Sequence, residues 1–153
     1  MSKEAYIERV AQQLRSLQQS FDAFDEAAAA RLGVNRTDLR CLDLVLGAGP
    51  LSAGELSTAL KLSPAATTTV IDRLERAGLV ARTRDAANRR RVLVTATDAA
   101  GVAEAEVYLP VGAAAAEALG RYDEEQLATI LDFLKVAREV QEGQAARLGL
   151  ATG

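Results

Sequence analysis

Seven arginines stand between Asp72 and Arg91, with only three acids among them. The local balance is +4 in a chain of net charge −3, so the remaining residues together carry −7. An acidic chain with one basic segment has an electrostatic footprint aimed at a polyanion, whereas a uniformly basic chain would bind indiscriminately. Other chemistry is thinly provided. There is no histidine for acid–base work or metal binding. Cys41 is the single cysteine, which rules out an internal disulfide and suits a reducing cytoplasm. No Gly-rich phosphate loop is present, and Glu104, Glu106 and Glu117 stand at ordinary helical-surface spacings. The expectation is a binding protein, not an enzyme, with no cofactor and no metal.

The elements that would position the arginines follow from capping chemistry and periodicity. Asn35 with Asp38 three residues on marks a helix start, and Val34 with Leu39 supplies a hydrophobic staple. Leu39, Leu42, Val45 and Leu46 form its apolar face, and Gly47-Ala48-Gly49-Pro50 stops it. Ser52 to Glu55 reads S-x-x-E, a capping box for a short helix ending near Lys61. Ser63-Pro64 opens another helix at once, with Thr67, Val70, Ile71 and Leu74 inward and Gly78 as a left-handed cap. Two strand-like stretches follow, Leu79 to Thr83 and Val92 to Thr95. They flank a polar turn that begins at Asp85, so the pair reads as a hairpin with a basic tip.

The order helix, short helix, tight turn, helix, hairpin describes a module that reads double-stranded DNA. The second of two helices joined by a tight turn can enter a major groove about 12 Å wide. Its outward face offers Ser63, Ala65, Ala66, Thr68, Thr69, Arg73 and Arg76. Small residues permit close approach, the threonines can meet base edges, phosphates or thymine methyls, and the two arginines are placed for phosphates. The hairpin carries Arg84, Arg89, Arg90 and Arg91 towards phosphates or the minor groove. Asp72 is read as orienting a neighbouring arginine.

These residues resemble the winged helix of MarR-type regulators. The matching features are the G-E-L at 54–56, I-D-R-L-E-R-A-G-L-V at 71–80 and the D-x-x-x-R-R turn of the wing. The helical flanks are similar as well. The resemblance implies a homodimer on a pseudo-palindromic operator, commonly a repressor released by a small-molecule effector or an oxidant, with the effector pocket between the dimer helices and the DNA-binding lobe. Two positions depart from the family pattern. Asn88 stands where the wing usually has aspartate, so either Asp85 partners Arg90 instead or Arg90 is freer. Thr69 replaces a frequent arginine, making base readout less cationic.

The expected fold is mainly α with a small β-hairpin wing. It is one domain over 1–153, with a DNA-binding lobe at about 34–96 and a helical dimerisation region from 1–33 and 97–153. Ile7, Val10, Leu14, Leu17 and Phe21 draw a narrow stripe along the first helix, suited to pairing with another chain. Two helices close the sequence, one from about Thr97 to Leu119. The other is capped by Asp123 and Gln126 and carries a similar stripe through Leu127, Ile130 and Leu134. No apolar run approaches the roughly 20 residues of a membrane span, and the N-terminus lacks a secretory h-region. The expected home is the cytoplasm. Cys41 lies between Leu39 and Leu42, a place for a small core residue rather than for a redox sensor, which needs neighbours that stabilise a thiolate. A second reading stays open, in which the module contacts proteins and has lost strong DNA binding. The Ala-Ala-Thr-Thr-Thr face favours it mildly, and the seven arginines oppose it.

Overall fold

The computed structural model describes residues 1–150. Six helices and three short strands follow in the order α1 (Lys3–Arg31), α2 (Arg36–Ala48), β1 (Leu51–Ser52), α3 (Ala53–Leu60), α4 (Pro64–Arg76), β2 (Val80–Arg84), β3 (Val92–Ala96), α5 (Asp98–Leu119) and α6 (Glu124–Leu150). Packing divides the chain into two compact units, Met1–Val107 and a second that begins at Tyr108, so the boundary falls inside α5. Just beyond it Pro110 sits within the helix. It has no N–H to offer the carbonyl four residues back.

Local chemistry sets the ends of the helices in the first unit. Asn35 and Asp38 exchange side-chain and backbone hydrogen bonds at 2.9 and 3.1 Å, and Ser52 and Glu55 do the same at 3.2 and 2.7 Å. Ser63 accepts from the Ala66 N–H, with Pro64 in the first turn where its missing donor costs nothing. Gly49 and Gly78 take positive φ at the ends of α2 and α4, as does Lys61 between α3 and α4. That left-handed lysine turns the chain so sharply that α4 starts three residues later.

Leu42, Val45, Leu56, Ile71 and Leu74 form the centre of the core with Cys41, all of them fully buried. Each large side chain contributes about 1.5–3 kcal/mol of transfer free energy. This core fixes α2, α3 and α4 against a sheet of order β1-β3-β2. In the hairpin, Val80 pairs with Ala96 and Arg84 with Val92. The strands lie within a residue of their expected positions, but β1 was not anticipated. Its two residues, Leu51 and Ser52, pair with Val94 and Leu93. A strand so short has no periodicity, and its Ser52 reads only as a helix cap. A second small cluster joins Ala28 and Ala29 of α1 to Leu39 of α2, where two methyl-sized side chains let the helices approach closely.

The stripe along α1 is largely open among the described residues. Ile7, Val10, Leu17 and Phe21 are exposed and Leu14 is half-buried. In the second unit, Asp123 and Gln126 form the expected capping box of α6. Leu127 and Ile130 are half-buried there, and Leu134 is exposed. Among the described residues no helix is long and apolar enough to cross a membrane.

Candidate nucleic-acid interface

α4 presents two unlike faces. Thr67, Val70, Ile71 and Leu74 are buried, as the spacing predicts. Ser63, Ala65, Thr68 and Thr69 are exposed, and Ala66 is half-buried. The three threonines turn their hydroxyls back onto their own helix. Thr67, Thr68 and Thr69 donate to the carbonyls of Ser63, Pro64 and Ala65 at 2.9, 3.0 and 3.1 Å. Ser63 at the cap accepts from the Ala66 N–H and keeps its own hydroxyl proton, but the outward face beyond it, over the first two turns, carries no charge and no free hydroxyl proton.

The seven arginines, alike in sequence, separate into three groups. Arg73, Arg82 and Arg91 are paired with carboxylates. Arg73 places Nε and Nη2 on both oxygens of Asp38 at 2.8–3.0 Å. The carboxylate is fully buried while 37% of the arginine side chain stays accessible. Those hydrogen bonds hold the guanidinium in its charged form. One edge of the Arg73 fork thus serves the protein, while the rest of the side chain stays accessible. Asp38 had been legible only as a cap. Its pairing with a residue 35 positions away leaves no local signal.

Arg82 bridges from β2 to Asp72, at 2.5 Å, and to Glu75 on α4. Asp72 thus orients an arginine, but one across the fold rather than beside it. Arg91 meets Glu55 at 2.7 Å and Asp85 at 3.7 Å, which ties the turn end of the wing to the cap of α3. Bonds from Ser52, first to its backbone and then to its hydroxyl, lower the Glu55 pKa, and Arg91 adds to the effect.

Arg76 and Arg84 form the second group. They donate to backbone carbonyls of Asp72 and Arg89 at 3.3 and 3.2 Å, and so keep their charge uncompensated. Arg89 and Arg90 are the third. They are exposed at the tip, with no side-chain hydrogen bond or ion pair among the described residues. Of the two readings of Arg90, the structure shows the freer one, because Asp85 turns to Arg91. Asn88 keeps the turn without a charge. Its side-chain oxygen accepts from the Arg90 N–H at 3.2 Å and its carbonyl from the Arg91 N–H at 2.8 Å. An amide oxygen makes this Asx turn as well as a carboxylate would.

Cys41 is fully buried in the core. Burial, with the nearby Asp38 charge, pushes its pKa up to about 11. Native protein near neutral pH should react with iodoacetamide roughly 300-fold more slowly than an ordinary thiol of pKa about 8.5. Labelling as fast as in the denatured chain would show a thiolate the fold does not provide. Burial and Asp25 raise Asp43, and burial with Asp43 raises Glu104. This cluster of acids from α1, α2 and α5 was not visible in the helical spacing of Glu104.

A helix-turn-helix followed by a β-hairpin bearing cations defines a winged-helix DNA-binding module. Residues 34–92 match the MarR family. Over 143 residues the chain is 36% identical to YcgE of Bacillus subtilis (strain 168), described as an HTH-type transcriptional regulator, with 93% of each covered. The chain belongs to the MarR family of transcriptional regulators.

Solved structures agree in fold. YusO of Bacillus subtilis superposes with a TM-score of 0.67 at 24% identity, covering 93% of this chain and 99% of that one. A MarR family protein of Bacillus stearothermophilus gives 0.68 at 23%, covering 95% and 99%. RV1404 of Mycobacterium tuberculosis gives 0.73 at 20%, covering 87% and 92%.

Proposed function

We propose that the chain is a homodimeric repressor whose α4 enters the major groove while Arg90 probes the flanking minor groove. Arg76, Arg84 and Arg89 neutralise phosphates, and Arg73 and Arg91 hold the reading elements in place. The DNA-binding lobe spans about 34–96, and the helices flanking it form the dimer. One observation carries the reading: the tip cations Arg89 and Arg90 are uncompensated while arginines nearer the core are paired off. The dimer is supported by the exposed stripe of Ile7, Val10, Leu17 and Phe21 and by exposed Leu134. Twofold symmetry would place half-sites roughly 34–36 Å apart. A small-molecule effector belongs to the proposal through the family resemblance, and cytoplasmic location and the absence of catalysis through the single cysteine and the lack of histidine.

The alternative of a protein-contact module draws on the uncharged face of α4. Selection from a random duplex pool, followed by anisotropy titration at two salt concentrations, separates the readings. The proposal expects enrichment of a pseudo-palindrome, affinity falling steeply with salt, and a dimer by sedimentation. Absent or salt-insensitive binding would favour protein contacts.

A further inference from the structure

In the major groove, guanine is read by donors to its O6 and N7, adenine and cytosine by acceptors for their amino groups, and thymine by contact with its methyl. The outward face of α4 over its first two turns is Ala65, Ala66, Thr68 and Thr69. Thr68 and Thr69 have given their hydroxyl protons to the Pro64 and Ala65 carbonyls. They have no proton left to offer guanine, and each oxygen remains only an acceptor. The nearest long donor further along, Arg73, has its Nε and Nη2 on a buried carboxylate. What this stretch presents most freely is methyl: the Cβ of each alanine and the Cγ2 of each threonine.

Resting on the DNA-binding reading above, we propose that α4 selects its half-site by methyl contact. Thymine is then preferred where Ala65, Thr68 and Thr69 meet the base edges, and guanine is not read there.

Removing only the thymine methyls tests this. Duplexes selected by the wild-type protein from a random pool would be resynthesised with deoxyuridine for thymidine on both strands, and affinities compared by anisotropy. A contacted methyl is worth roughly fourfold, so two half-sites should give a preference of roughly tenfold or more for the thymine form. The double variant Thr68→Ser/Thr69→Ser, which loses the methyls and keeps the hydroxyls, should lose most of that preference. Thr68→Val/Thr69→Val, which keeps the methyls and loses the hydroxyls, should retain it. Equal affinity of the wild type for both forms overturns the proposal, as does a preference undiminished in the serine variant. If no duplex is enriched or bound at all, the DNA-binding reading itself fails and takes this one with it.

Discussion

Replacing Arg73 with alanine is expected to lower the unfolding free energy by about 3 kcal/mol. The cost comes from what is left behind. Asp38 is fully buried and receives three hydrogen-bond contacts from the guanidinium. Without Arg73 it keeps, among the described residues, the Asn35 N–H. A buried charge stripped of its partner typically costs 3–5 kcal/mol, and the low end applies because the arginine side is partly open to water. Urea unfolding should show a lower midpoint at unchanged slope. Arg73→Lys should recover only part of the loss, since an ammonium cannot reproduce the two-pronged geometry. A change below about 1 kcal/mol would mean that the carboxylate finds water, and that the pair does not lock α4 to α2.

Arg90→Ala should behave in the opposite way. With no side-chain partner among the described residues, Arg90 contributes little to folding, and the variant should unfold at the wild-type midpoint. Its affinity for a selected duplex should fall by about 1–3 kcal/mol, roughly 5- to 150-fold. Arg89→Ala should weaken binding more evenly across sequences and reduce the salt slope by about one. Anisotropy titrations at two ionic strengths distinguish these outcomes. Unchanged binding in both variants would take the wing tip out of the interface. The contrast with Arg73 gives a simple rule: paired arginines move stability, unpaired ones move affinity.

That contrast also shows where sequence reading ends. Caps and stops were legible because their chemistry acts within three or four residues: Asn35 with Asp38, Ser52 with Glu55, Asp123 with Gln126, and Gly78 after α4. The buried face of α4 was equally plain from its period. The roles of individual arginines were not. Arg73 finds Asp38 across 35 positions, and Arg91 finds Glu55 from the far end of the hairpin. Arg82 and Arg84 share one face of β2, yet the first turns to acids on α4 and the second to the turn of the wing. Strand alternation sees them as equivalent. The short strand β1 escaped for another reason, since two residues are too few to carry a pattern. Asn88 looked like a departure from the family turn, and its oxygen shows that the turn needs an acceptor rather than a charge.

The pairing-off of Arg73, Arg82 and Arg91 has a kinetic consequence. It removes positive charge near the core and leaves it at the hairpin tip, within a chain whose other residues are predominantly acidic. Such a molecule feels a torque in the field of a polyanion. The expected encounter is wing first, with misoriented collisions disfavoured by the acidic remainder. Salt should therefore act mainly on the association rate, and the lifetime of the complex should be set by the uncharged surface that seats afterwards.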